Sequence, residues 1–295
     1  MNKNFLIVVD GNYIGSVAKY AMKNNPLMNK GENTAVLFNC TEVILKLARK
    51  FDTNRFAFVW DSRESFREEL FPDYKKKRKA EKAAKERSKE DIYWDQVCYE
   101  QFDQLRKELI PQFGFKNNFM IRGLEGDDLI AKITKSYPEE SIIIISSDKD
   151  LYQLLSPRVS IYNTQHSKTF TILALKEAFD GCTPEEWGKA LCITGCSTDE
   201  VPGISNVGLT TALKYLRGGL STSSKKYSDI RNGKAIIERN EKLVLLPHEN
   251  TPEIVLQDGE TFHITDFENI AYQYGFMSWL KTENLIKWRS QFKMI

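Results

Sequence analysis

Apolar residues follow two patterns along this chain. Phe5-Leu-Ile-Val-Val-Asp10, Phe56-Ala-Phe-Val-Trp-Asp61 and Ile142-Ile-Ile-Ile-Ser-Ser-Asp148-Lys-Asp150 are short apolar runs without alternation, each ending on aspartate. Runs of that kind, separated by helical stretches, predict strands of a parallel sheet buried on both faces. Between the first two, Cys40, Val43, Ile44 and Leu47 recur at helical spacing in Asn39 to Phe51, which predicts a helical crossover and a βαβ unit. Trp94, Cys98, Phe102, Leu105 and Leu109 predict an amphipathic helix that ends before Pro111. A strand is expected near Phe119-Met-Ile121, then a helix from the acidic cluster Glu125-Gly126-Asp127-Asp128 to about Tyr137.

Alternation of strand and helix continues to about Leu175, and beyond it the pattern is helical. Thr183-Pro-Glu-Glu-Trp187 has the cap, proline and early acids of a helix start. The expected division is a core of residues 1–180 and a helical region of residues 181–295.

One stretch fits neither pattern. Phe66-Arg67-Glu-Glu-Leu-Phe-Pro-Asp-Tyr74-Lys75-Lys76-Lys77-Arg78-Lys79 and the helix-favouring run to Lys89 have almost no apolar face. Such a segment is solvated or bound to something acidic.

The carboxyl ends of parallel strands are where ligands of such sheets gather, so Asp10, Asp61, the 125–128 cluster and the Asp148/Asp150 pair are expected to meet at one edge. Crowded carboxylates repel unless cations neutralise them, and all-oxygen donors suit Mg²⁺ or Mn²⁺. The expectation is a two-metal site acting on a phosphate ester. Glu125 and Asp128, three apart at a helix start, are expected to share a face, with Asp127 rotated away. His166, His248 and His263 lie outside the acidic cluster, and neither a Gly-x-Ser-x-Gly nucleophile motif nor a Walker-type phosphate loop is present.

Composition changes this picture little. A net charge of +2 over 295 residues conceals separate acidic and basic regions. The five cysteines, Cys40, Cys98, Cys182, Cys192 and Cys196, have no CxxC spacing, and no signal peptide or transmembrane-length run is seen, so a reducing cytoplasm is expected.

In the second half, Gly195-Cys196-Ser-Thr-Asp199-Glu200-Val-Pro-Gly203-Ile-Ser-Asn206-Val-Gly208 separates two helical stretches. Glycines before a helix let backbone N–H groups approach phosphate. Lys214, Arg217, Lys225, Lys226, Arg231 and Lys234 surround it, which predicts salt-dependent, sequence-independent contacts to a nucleic-acid backbone.

In chain order, Asp10, Asp61, Tyr74-Lys75 with Arg78, Gly123-Leu-Glu125-Gly-Asp127-Asp128, Ser146-Ser-Asp148-Lys-Asp150, the Asp199 to Gly208 hairpin and Tyr274-Gly-Phe-Met-Ser-Trp279-Leu make the chain resemble the 5′ nuclease superfamily. The resemblance covers nearly the whole chain. It implies an α/β, PIN-like nuclease core with a central, mainly parallel sheet, a helical arch at about residues 62–91 that admits a single-stranded 5′ end, and a helix-hairpin-helix (H3TH) module that holds duplex DNA. By resemblance, Asp10, Asp61, Glu125, Asp127, Asp128 and Asp148 form a first metal site, and Asp148, Asp150 and Asp199 a second. Lys75 and Arg78 would draw the scissile phosphate to the metals, and Tyr74 would stack on a base. Arg67, Lys76 and Lys77 would join the hairpin's Gly203, Asn206 and Gly208 in contacting DNA, and a K⁺ ion would sit in the hairpin. The implied activity is flap endonuclease and 5′–3′ exonuclease cleavage in DNA replication or repair, by a monomer of bacteriophage or free-standing cellular kind. The implied partner is branched or 5′-ended DNA, with RNA–DNA hybrid as a further substrate. The alternatives are a primer-removing 5′ nuclease or PIN-type RNase, and a weakly active or non-catalytic factor that binds branched DNA.

Two positions depart from the pattern. Where relatives place a further aspartate shortly before the Asp199 equivalent, this chain has Gly195-Cys196, and a neutral thiol is a poor ligand for Mg²⁺. A weaker second site, eased by Mn²⁺ or Glu200, is expected. Asn206 stands where a glycine is common, and asparagine tolerates left-handed backbone.

Overall fold

The computed structural model describes residues 5–76 and 88–295. Six strands form the main sheet: β1 (Leu6–Asp10), β2 (Phe56–Val59), β3 (Asn118–Phe119), β4 (Ile142–Ile145), β5 (Val159–Asn163) and β6 (Lys168–Phe170). Their spatial order is β3-β2-β1-β4-β5-β6, parallel throughout except for antiparallel β6.

Alternate side chains of the apolar runs enter opposite layers. Ile7, Val9, Phe56, Phe58, Ile143 and Ile145 face one layer. Leu6, Val8, Ala57, Val59, Ile142 and Ile144 face the other. Water is excluded from both faces, which is why none of these strands alternates with polar residues. Each of these Val, Leu, Ile or Phe side chains removed from water stabilises the fold by roughly 1.5–3 kcal/mol.

The first layer contains helices Gly11–Met22, Ala35–Phe51 and Lys89–Gln104, closed by C-terminal helices Ile264–Tyr274 and Thr282–Phe292. Buried Phe113, Phe267, Trp279 and Trp288 pack ring against ring, 4.9–6.1 Å between centroids, so residues far apart in the chain share one core. The second layer contains helices Gly126–Ser136, Pro184–Thr194, Leu209–Leu216 and Lys225–Asn232.

Helix Pro184–Thr194 starts at the expected place: Thr183 accepts from the Glu186 N–H and Glu186 accepts from the Thr183 N–H. The helix expected to stop before Pro111 instead runs on through a π turn, Leu105–Leu109, into Ile110–Phe113. The wider turn changes the hydrogen-bond register ahead of Pro111, so a residue without an N–H sits at the start of a new α-helical turn, where none is needed. Leu105, Leu109, Ile110 and Phe113 thereby all stay buried. The strand expected at 119–121 is Asn118–Phe119 only. Among the described residues no helix is long and apolar enough to cross a membrane.

Candidate metal centre and nucleic-acid interface

Strand register assembles the acidic site. β1 lies between β2 and β4, with Asp10 level with Val59 and Val9 level with Ile145. Asp10 therefore ends the central strand, Asp61 follows β2 by two residues, and Ser146 to Asp150 leave β4 at the same edge. Asp10 caps helix Gly11–Met22, accepting from the Tyr13 N–H at 2.9 Å, and takes a 3.1 Å hydrogen bond from the Ser146 hydroxyl. Asp61 accepts from the Gly126 N–H at 2.8 Å and from Asn12 Nδ2 at 2.6 Å.

The turn before helix Gly126–Ser136 needs glycine at 123. Its φ is +83°, and a Cβ there would lie 2.5 Å from the Phe66 ring. Ser62 binds the turn from the other side: its N–H donates to the Leu124 carbonyl at 3.0 Å, and its hydroxyl accepts from the Gly123 N–H at 3.2 Å.

Charge crowding is severe at this edge. Burial, then Asp61 and Asp148, push Asp10 up to about 7. Burial and the charges of Asp148, Asp10, Asp61 and Glu125 push Asp127 well above the ordinary carboxylate value. Asp61 is raised by the desolvating cleft walls and by Glu125, against the Gly126 N–H, Lys75 and Asn12. Burial and Asp148 push Asp150 up to about 6, and burial likewise raises Asp199. A hard divalent cation would relieve this repulsion, and the oxygen donors of Asp10, Asp61, Glu125, Asp127 and Asp148 fit Mg²⁺ or Mn²⁺.

Asp127 and Asp128 exchange the positions expected for them. Asp127 faces the acidic cluster. Asp128 is fully buried and accepts 2.6 and 2.7 Å bonds from both terminal nitrogens of Arg67, itself 2% exposed. Burial works against the Asp128 charge, but Arg67 and the N–H groups of His248 and Glu125 outweigh it and hold the carboxyl below its ordinary value. Arg67 also donates to the Leu243 carbonyl at 2.7 Å. The expected metal ligand and the expected DNA contact thus satisfy each other inside the protein, because a buried charge must be paired.

Tyr74 is likewise not a free base-stacking ring. It is 2% exposed, and its hydroxyl donates towards Glu125 Oε2 and Asp199 Oδ2, both at 3.1 Å. Burial, Glu125 and Asp199 raise its pKa and keep the phenol neutral. Lys75 follows at φ +53°, its ammonium 2.8 Å from Glu125 and 3.5 Å from Asp199. Burial opposes the Lys75 charge, but Glu125 and Asp199 outweigh it and raise the pKa. Lys76 is exposed and pairs with Asp73 at 3.0 Å. Lys77 and Arg78 lie outside the described residues.

The other end of the cluster has a different donor set. One ligand atom each from Asp150, Cys196 and Asp199 lie within 4.8 Å of one another. Cys196 donates to Asp150 Oδ2 at 3.2 Å, and its sulfur is 2.9 Å from Thr198 Oγ1. These residues do not fit a second Mg²⁺ well, since a thiol stands where a hard oxygen is needed.

The hairpin begins with the two-stranded pairing of Gly195–Cys196 and Val201–Pro202. Gly203 packs against the backbone of Thr194 and Gly195, with no room for a Cβ. Asn206 has φ +59°, and Gly208 caps helix Leu209–Leu216. Lys214, Lys225 and Lys226 are exposed, whereas Arg217 is held by two 2.8 Å bonds to Glu186 and one of 2.7 Å to the Asp180 carbonyl. Asn12, Ser146 and Thr198, which orient Asp10, Asp61 and Cys196, were not among the expected site residues. Their signal was adjacency to the aspartates in the Asp10-Gly-Asn12, Ser146-Ser-Asp148 and Thr198-Asp199 runs.

Residues 5–180 match the family described as the 5′-3′ exonuclease, N-terminal resolvase-like domain. The chain belongs to this family. It is 28% identical over 261 residues to a 5′-3′ exonuclease of Buchnera aphidicola subsp. Acyrthosiphon pisum, covering 87% of this chain and 85% of that one. It is 30% identical over 217 residues to the thermostable DNA polymerase I of Thermus aquaticus, covering 72% of this chain and 24% of the polymerase. Its fold matches the bacteriophage T5 flap endonuclease in a pseudo-enzyme–product complex with DNA and metal ions, at a TM-score of 0.70 and 22% identity, over 82% of this chain and 89% of that chain. The likeness extends the shared α/β fold past residue 180.

Proposed function

We propose that this family member is a structure-specific, divalent-metal-dependent 5′ nuclease that hydrolyses phosphodiesters near the 5′ ends or flap junctions of DNA. The observation that carries the reading is the convergence of Asp10, Asp61, Asp127 and Asp148 at the carboxyl edge of three adjacent parallel strands, with the Lys75 ammonium beside Glu125. The 5′-3′ exonuclease identity of the relatives supports it. Asp10, Asp61, Glu125, Asp127 and Asp148 would hold Mg²⁺ or Mn²⁺, which supplies Lewis acidity towards a phosphate oxygen and lowers the pKa of water.

The protein's own contribution is orientation and charge. Hydrogen bonds from Tyr13, Ser146, Gly126 and Asn12 fix the two strand-end carboxylates before substrate arrives, so no reorganisation is needed when the phosphate enters. Lys75 releases Glu125 and turns its positive charge towards the incoming phosphate. The exposed Lys214, Lys225 and Lys226, with the amino end of helix Leu209–Leu216, grip the duplex backbone.

Incubation with end-labelled 5′-flap, blunt-duplex and single-stranded DNA in Mg²⁺ or Mn²⁺, beside Asp148→Ala, tests the proposal. Cuts near the flap junction that vanish in the variant are expected. Tight flap binding without cutting in either metal would overturn it.

A further inference from the structure

The Cys196 end of the acidic cluster is built with as much definition as the Asp10 end, yet with a donor that Mg²⁺ disfavours. Gly195 has φ +74°, and a Cβ there would lie 2.2 Å from the Val201 carbonyl oxygen, so the hairpin holds the following residue in one place. Pairing of Cys196 with Val201 turns the sulfur inward, where it is 6% exposed. There it meets Asp150 at 3.2 Å and Thr198 at 2.9 Å, with a carboxylate oxygen of Asp199 in the same small group.

We propose that Asp150, Cys196 and Asp199 form a thiolate-bearing site for a borderline-soft divalent ion of the Co²⁺ or Zn²⁺ type, in place of a second Mg²⁺ site. The proposal rests on the nuclease reading only for the neighbouring Mg²⁺ site.

Such ions bind sulfur at about 2.3 Å and oxygen at about 2.0–2.2 Å, which brings donors to roughly 3.5 Å from one another. Donor atoms already within 4.8 Å close on an ion by a shift on the order of 1 Å. On binding, the Cys196 S–H bond breaks, the sulfur keeps the electron pair and donates it to the metal, and the proton passes to solvent. No oxidant or reductant is involved. The Thr198 hydroxyl can turn its hydrogen to the thiolate, and the Lys75 ammonium, 3.5 Å from Asp199, balances the added negative charge. Three protein donors leave a coordination position open, as in exchangeable rather than purely structural sites. Mg²⁺ demands near-octahedral oxygen and gives up water reluctantly, so it competes poorly here.

The test is a Co²⁺ titration of the metal-free full chain in excess Mg²⁺, reading the near-ultraviolet thiolate-to-Co²⁺ charge-transfer absorption and, by equilibrium dialysis, the metal bound per chain. The parent is expected to hold a Co²⁺ ion that Mg²⁺ does not displace and to show the band. Cys196→Ser should lose the band while Cys40, Cys98, Cys182 and Cys192 remain, and Cys196→Asp should lose it while binding an additional Mg²⁺. Co²⁺ bound without the band, a band that persists in Cys196→Ser, or complete displacement by Mg²⁺ would each overturn the site. Flap cleavage in Mg²⁺ alone is read separately: cutting without the band refutes the thiolate site and leaves the nuclease reading standing, and the band without cutting does the reverse.

Discussion

Replacing Arg67 by methionine tests whether Asp128 is a structural acid or a metal ligand. The pair is buried to 2% and 0% exposure, with two charge-assisted bonds at 2.6 and 2.7 Å. Removing one member leaves an uncompensated charge in the core, which costs roughly 3–5 kcal/mol. For a chain of this size that lowers the melting temperature by on the order of 10 °C. The sign of the pH dependence follows from the shift. In the parent, the Asp128 carboxyl is held below its unfolded value, so its stabilisation is present above about pH 4 and is lost as the solution is acidified through the folded value. Without Arg67 the same carboxyl is raised by burial, so the variant's penalty shrinks on moving from about pH 7 to about pH 5. Thermal and urea denaturation at both pH values, with EDTA or Mg²⁺, measure this. Asp128→Asn should be destabilised comparably and still gain stability from Mg²⁺, and the Arg67→Met/Asp128→Leu double variant should recover part of the loss. If Asp128→Asn melts with the parent in EDTA but no longer responds to Mg²⁺, Asp128 is a metal ligand and the reasoning fails.

Metal-free protein should lose stability as pH rises from about 4 to about 7, because Asp10, Asp127 and Asp150 bind protons more tightly folded than unfolded; Mg²⁺ should flatten the part of the profile due to Asp10 and Asp127, and a flat profile in EDTA would contradict the crowding. Lys75→Ala should slow flap cleavage while tightening Mg²⁺ binding in calorimetry, since the ammonium 2.8 Å from Glu125 competes with the ion; weaker binding would show that Lys75 does not compete. Lys214→Ala, Lys225→Ala and Lys226→Ala should each lower the salt dependence of DNA affinity by about one unit of log–log slope without moving the melting temperature. Arg217→Ala should instead destabilise the fold, because it breaks the ties to Glu186 and Asp180; a change in salt slope alone would place Arg217 on the DNA.

The strands that position the site are legible because both faces of the sheet are dry, which leaves unbroken apolar runs with aspartates where they meet water. The orientation of the 125–128 cluster is not. Glu125 is the cap residue, outside the helical repeat, so a three-residue spacing does not put it on the face of Asp128. What turns Asp128 inward is Arg67, sixty-one positions away and embedded in a stretch that reads as uniformly solvated. Tyr74 fails for the same reason: its two partners come from positions 125 and 199, and only tertiary structure shows that a tyrosine beside a run of lysines is enclosed. The continuation past Pro111 depends on a local change of hydrogen-bond register that apolar spacing does not encode.

Tyr74 and Lys75 join three separate parts of the chain at one point. The phenol touches Glu125 and Asp199, and the Lys75 backbone N–H donates to the Asp199 carbonyl at 3.0 Å. The Tyr74–Lys75 turn, the acidic cluster and the start of the hairpin are therefore coupled to one another. By thermodynamic reciprocity, whatever free energy an incoming cation takes from the Tyr74 and Lys75 contacts, loss of those contacts returns to cation binding. DNA that lifts Lys75 away would raise the protein's own affinity for its metal, so that loading of the ion and arrival of the substrate become a single cooperative event.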